Sequence, residues 1–210
     1  MITYAARAVG QPRSQSLGEE LVNAITHGLG ALLGIAGLCL LLYRSILYGE
    51  TIHVVSVTIF GVSMILLYLV SCLYHALPHS RGKRVFQILD HCSIFILIVG
   101  SYAPICLVTV GGKLGVTAFA VNAACGLLGI LLNIIDFHRW KRLSQVLYIV
   151  MGWMGIMIVP VIFRNLTHLG FAFLLLGGVS YTVGVIFYRR KEKRFWHGIW
   201  HVFVLLGTVL

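Results

Sequence analysis

Charge is what this sequence has least of. Only 10% of its 210 residues are Asp, Glu, Lys or Arg, against 59% that are hydrophobic. A soluble domain carries about 25% charged residues, so an ordinary water-facing surface is excluded. Acidic residues are the scarcest, six against sixteen Lys and Arg, which leaves a formal net charge of +10. In a soluble protein that excess would suggest nucleic acid. Here every basic cluster lies between apolar runs, so membrane topology accounts for it and no nucleic-acid partner is expected. The five cysteines (Cys39, Cys72, Cys92, Cys106, Cys125) form no C-x-x-C pair. That argues against a disulfide framework and a thiolate zinc cluster, and leaves buried structural thiols. No phosphate-cradling loop, low-complexity tract or convincing internal repeat is present.

What is there is hydrophobic residues in long runs. About 20 apolar residues cross a bilayer as a helix, and seven such spans can be drawn. They cover about 21–43, 54–77, 85–110, 114–137, 144–163, 169–188 and 195–210. The predicted class is all-α, a polytopic seven-transmembrane-helix bundle, with a flexible tail over 1–16 and one membrane domain over 17–210. The first run, 23 residues long, exceeds the apolar region of a cleaved signal peptide and is kept as a span. The last has 16 residues, about 24 Å at 1.5 Å per residue, short for a core of about 30 Å. Repeated spacings such as Gly30-x-x-x-Gly34 read as close helix packing in lipid. Pro104 and Pro160 are expected to kink their spans, and Trp140, Tyr148, Tyr188 and Trp196 to form an aromatic belt at the inner boundary.

Orientation follows from the basic residues. Arg7, Arg13, Arg81, Lys83, Arg84, Arg139, Lys141, Arg142, Arg189, Arg190, Lys191, Lys193 and Arg194 fall on one side; only Arg44, Lys113 and Arg164 oppose them. The N-terminus is therefore expected in the cytoplasm and the C-terminus outside. Depth follows in turn. His75 ends an inward span, Asp90 begins an outward one, and His197 and His201 begin another, all near the cytoplasmic face.

That shared depth points to one site. His197 and His201 sit about 40° from eclipsed on a helix, so both can reach one metal ion. With His75 they make a three-histidine zinc site, whose fourth position would be left for water, the pattern of a catalytic centre. Asp90, the only acidic residue at this depth on a facing span, would take the water's proton or orient a ligand. Ser71, one turn before His75, could donate a hydrogen bond to Asp90, the water or a carbonyl. His27, four residues after Asn23, would line the same cavity. His91 points about 100° away from Asp90, so both cannot face one metal. His53, His79, His138 and His168 read as interfacial residues. Cys72 and Cys92 could compete as ligands, but softness alone does not place them in the site.

The same residues carry a family resemblance. Ser71-Cys72-Leu73-Tyr74-His75, the pair Asp90-His91, and His197-Gly198-Ile199-Trp200-His201 resemble the hemolysin III family, the bacterial branch of the progestin and adipoQ receptor superfamily. Glu19-Glu20-Leu21-Val22-Asn23-Ala24-Ile25-Thr26-His27-Gly28 and Gly100-Ser101-Tyr102-Ala103-Pro104 fit as well, so the likeness runs from about residue 17 to the end. The resemblance implies a bacterial inner-membrane protein, multi-pass, with a cytoplasmic N-terminus. It implies zinc near the inner leaflet on His75, His197 and His201, with a water between metal and Asp90. Kinship with the alkaline ceramidases suggests hydrolysis of a lipid amide. The family's seventh helix runs longer, so residues beyond Leu210 are expected.

Three functions compete. The first is a zinc-dependent hydrolase of a membrane-lipid amide or ester, its partners being a lipid amide or a fatty-acid product. The second is a non-enzymatic sensor or signalling protein with a structural zinc, alongside the pore-forming cytolysin that the family's name suggests. A metal or ion transporter ranks last, because the outer halves of the spans hold few ionisable groups.

Overall fold

The computed structural model describes residues 15–190 and 192–210. Residues 1–14 of the tail expected over 1–16, with Arg7 and Arg13, and the basic Lys191 lie outside the described residues. Among the described residues all regular structure is helical. The helices are α1 (Leu17–Tyr48), α2 (Thr51–Ala76), α3 (Arg81–Ala103), α4 (Gly112–Trp153), α5 (Val159–Asn165), α6 (His168–Arg189) and α7 (Trp196–Val209). Five helical runs are long and apolar enough to cross a membrane: Leu17–Tyr48, Thr51–Ala76, Arg81–Val110, Gly112–Asn165 and His168–Arg189. α7 is apolar but shorter.

The ends of the helices have local causes. α1 starts four residues before the apolar run, because Ser16 and Glu19 form a capping box. The Ser16 hydroxyl accepts from the Glu19 amide, and Glu19 Oε2 accepts from the Ser16 amide at 2.9 Å. Pro104 closes α3 and opens a π-helical stretch to Val110, where Gly111 (φ 64°) and Gly112 (φ 57°) turn the chain into α4. Pro160 sits in the first turn of α5, after a 3-10 stretch over Met154–Ile158, where its missing N–H costs nothing.

The long Gly112–Asn165 run is interrupted once. Asp136 takes an extended backbone (φ −156°, ψ 90°), and its Oδ1 accepts from the Arg139 amide at 3.0 Å, as a capping residue does. The connection expected over 138–143 is therefore helical, and a single residue makes the break.

Four helix starts and ends meet at one pole of the bundle. There Lys83 of α3 donates to Glu20 of α1, and the Phe195 amide before α7 donates to Glu19. Phe137, next to the Asp136 break, packs edge-on against His91 of α3. The basic connections thus gather where α1 begins. Beneath this pole Ala31, Met64, Leu67, Tyr68, Leu97 and Val204 pack into a core shared by α1, α2, α3 and α7. Outward-facing side chains are apolar: Leu32 is 67% exposed, Ile135 74% and Met157 84%.

Close packing depends on absent side chains. A Cβ on Gly30 would lie 2.8 Å from Tyr68 Cδ1. Tyr68 cannot retreat, being fully buried with its hydroxyl 2.7 Å from Thr208 Oγ1. Gly30→Val is expected to destabilise the bundle by about 1–3 kcal/mol, measured as a lower thermal midpoint of the purified protein.

Two expectations fail here. Cys92 and Cys106 are buried, but Cys39 is exposed on the apolar flank, since α1 packs on its other side. Tyr148 and Tyr188 do not face outward as a belt. The Tyr148 hydroxyl donates to the His91 carbonyl at 2.8 Å, and that of Tyr188 lies 3.4 Å from His91 Nε2. His91 is half-buried between α3, α4 and α6, and the two phenols give its carbonyl and its ring polar neighbours there.

Candidate metal centre

Four helices, α1, α2, α3 and α7, deliver the histidines and their neighbours to this pole. His75 lies in the last turn of α2, with Ser71 one turn earlier on the same face. His197 and His201 occupy the first turns of α7. The entry to α7 is held by Phe195, whose left-handed backbone (φ 60°, ψ 0°) is rare for a residue with a side chain. Its amide is 2.9 Å from Glu19 Oε1. One carboxylate thus caps α1 and fixes where α7 begins, which sets the height of both α7 histidines.

Among the described residues, His75, His197 and His201 form the group able to hold a metal ion, their ligand atoms all within 4.8 Å of one another. The Nε2 atoms of His197 and His201 are 3.2 Å apart. The ring of His75 is centred 5.2 Å from that of His197 and 5.1 Å from that of His201. His201 is fully buried and His75 is 4% exposed.

Hydrogen bonding assigns the tautomers. His75 Nδ1 lies 2.6 Å from Glu20 Oε2, and a carboxylate only accepts, so Nδ1 carries the proton. His75 Nε2 is then a lone pair, buried and without a hydrogen-bond partner. His201 Nδ1 faces the Asn23 carbonyl at 3.3 Å, and the Thr26 hydroxyl at 3.4 Å. The Thr26 proton is taken by backbone carbonyls of α1, so His201 Nδ1 is again the donor and Nε2 the lone pair. His201 Nε2 can accept from the His197 Nε2–H at 3.2 Å, so the buried lone pair left without a partner is that of His75 Nε2, and a cation among the three rings would satisfy it. The residues present fit a metal ion.

Glu20 is the residue that sequence reasoning missed. Asp90 reads from the sequence as the only acidic residue at this depth on a facing span, yet Glu20 is bonded to a candidate ligand directly. Its Oε1 accepts from Lys83 Nζ at 2.9 Å, and Lys83 also donates to the Leu77 carbonyl that ends α2. A span drawn from residue 21 cut Glu20 off; the available signal was the Ser16–Glu19 capping box, which carries the helix back to Leu17.

Asp90 and Ser71 lie at the same pole, buried at 6% and 1% exposure. Asp90 is next to Ser71 and within the field of His75, although Ser71 Oγ makes no hydrogen bond of good geometry. Asp90 Oδ2 also stands 3.9 Å from His91 Nδ1, but that nitrogen is bonded at 2.9 Å to the Gln87 carbonyl. His91 therefore belongs to the Tyr148–Tyr188 pocket. His27 stacks on His201 at 3.5 Å, nearly parallel, with neither ring nitrogen hydrogen-bonded. His53 bonds the Glu50 amide at the far end of α2, and His79, His138 and His168 are exposed. No cysteine joins the cluster among the described residues.

A family model described as haemolysin-III related matches residues 15–210. A Bacillus cereus protein named Hemolysin-3 is 42% identical over 197 residues, covering 94% of this chain and 90% of that protein. A Hemolysin-3 homolog of Bacillus subtilis (strain 168) is 45% identical over 190 residues, 90% of this chain and 89% of its own length.

Proposed function

The chain belongs to the haemolysin-III-related family, part of the progestin and adipoQ receptor superfamily and multi-pass in the membrane, and from that premise we propose that it is a zinc-dependent hydrolase of a membrane-lipid amide or ester. The observation that carries the reading is the buried, unpartnered Nε2 of His75 facing His197 and His201. Three neutral imidazoles suit zinc, and three protein ligands leave a position open.

The bundle spans the bilayer seven times. The Asp136 break divides the Gly112–Asn165 run into two crossings, and α7 is the last. The pole bearing Arg81, Lys83, Arg84 and the α6–α7 basic residues faces the cytoplasm, in the inner membrane of a bacterium. The N-terminus is cytoplasmic, the C-terminus is outside, and the histidines stand near the inner leaflet.

When bound, zinc would supply a Lewis acid and bring a water's pKa towards neutrality. The protein's residues do the rest. His75, His197 and His201 hold the ion, and Glu20 keeps His75 in the tautomer that can bind it. Asp90 receives the proton of the attacking water and returns it to the leaving amine or alcohol. Ser71, whose hydroxyl has no other hydrogen-bond partner, donates to the developing oxyanion of the carbonyl. The products are a fatty acid and the freed amine or alcohol.

The second reading keeps the metal and drops the chemistry. A sensor with a structural zinc is favoured by the bonds that join α1 and α3 to the cluster, since a metal there would staple α2 to α7 within a frame those bonds already hold. The cytolysin reading rests on the relatives' name alone. Purified protein offered N-acylated and ester lipids separates these readings. The hydrolase releases fatty acid, and both His75→Ala and His197→Ala abolish it. Turnover that survives both substitutions, or no turnover with zinc bound, removes the hydrolase reading.

A further inference from the structure

A concave surface of about 500 Å³ opens beside the histidine cluster, at the turn between α2 and α3. Its walls include Tyr74, His79, Ser80, Arg81, Lys83 and Arg84. No carboxylate lines it. Lys83 is the one cation there with an acidic partner, Glu20, on its inner side. Among the described residues no ion pair engages Arg81 or Arg84, and both are exposed. They stand three residues apart, so both guanidinium groups belong to one face of α3. Ser80 caps that helix by accepting from the Lys83 amide at 3.1 Å, which fixes the start of α3 at the wall of the hollow.

The flanks differ from the floor. Leu73 on α2 is 40% exposed, and on α3 Val85 is 56% and Leu89 43% exposed. A cationic hollow therefore sits at the foot of two apolar helix faces, where a bilayer's headgroups meet its acyl chains. Free phosphate would use only the hollow. A glycerophospholipid would use both, its phosphodiester on Arg81 and Arg84 and its chains along Leu73, Val85 and Leu89.

We propose that this hollow binds the headgroup of an anionic glycerophospholipid from the surrounding leaflet. The phosphodiester oxygens accept from Arg81 and Arg84, two planar donors suited to phosphate. Tyr74 and His79 border the glycerol. Because Lys83 forms part of both this wall and the support of Glu20, the bound lipid lies against the side of the candidate metal centre. The proposal goes beyond the hydrolase reading and stands without it, since it concerns binding and not turnover.

The test is lipid binding by the full-length protein in a neutral detergent, with short-chain phosphatidylglycerol, short-chain phosphatidylcholine and inorganic phosphate as separate probes. Phosphatidylglycerol is expected to bind tightest, and the double variant Arg81→Gln/Arg84→Gln to bind it roughly 30-fold more weakly, each cation counting for about a factor of five. The double variant Arg139→Gln/Arg142→Gln, which removes the same charge from another basic stretch at this pole, is expected to bind like the wild type. Equal affinity for the two lipids overturns the proposal. So does inorganic phosphate that competes as well as the lipid, or equal losses in both double variants, which would mean a diffuse surface potential. Melting of each variant without lipid, expected to match the wild type, shows that the fold is intact.

Discussion

Purified wild-type protein is expected to hold one zinc ion per chain, and His75→Ala protein to contain no stoichiometric zinc. The expected loss of affinity exceeds the roughly 10–100-fold cost of removing an outer partner, because a coordinating nitrogen itself is gone. Glu20 provides the internal comparison. Glu20→Ala deletes the acceptor at 2.6 Å from His75 Nδ1 and frees the ring to turn or to change tautomer. It should weaken zinc by about 10–100-fold, and Glu20→Gln, whose amide oxygen can still accept, should recover much of that. Metal titration of the three variants with a competing chelator gives the order. An affinity for zinc unchanged in His75→Ala would dismiss the three-histidine centre; an unchanged affinity in Glu20→Ala would dismiss only the orienting role.

The second large effect falls on turnover and leaves the metal alone. Asp90→Asn keeps the shape and burial of the side chain but takes away its capacity to accept a proton. Fatty-acid release should fall by about 10²–10⁴, the range of a lost general base. Zinc content should match the wild type, since Asp90 is not among the three grouped ligands. A variant that loses less than tenfold activity would assign the proton transfer elsewhere, with Glu20 next to be tried.

Much of the architecture was readable because lipid imposes a long, simple pattern. A run of apolar residues must form a helix when no water is present to satisfy its backbone, so the helices could be drawn within a few residues. His197 and His201 were readable too, since a four-residue spacing places two rings on one face. His75 required more, namely the charge asymmetry that puts its span's end at the same depth. What escaped notice depends on contacts between helices. Glu20 lies outside the apolar run and gains its meaning only when α1 packs beside α2. Tyr148 and Tyr188 look like boundary aromatics until His91 is seen between them. The Asp136 break was hidden for the opposite reason: the basic residues after it read as a loop, but one extended residue is enough to interrupt the helix there.

The histidine cluster also has a consequence in time. More than half of the chain separates His75 from His197. During synthesis α2 is threaded into the bilayer long before α7 leaves the ribosome, so a nascent chain exposes a solitary imidazole with no binding power of its own. Binding of an ion by all three rings would have to wait until the C-terminal hairpin docks on Glu19. An ion bound there would mark completed assembly, and a message truncated ahead of the final helix would yield a protein unable to hold one.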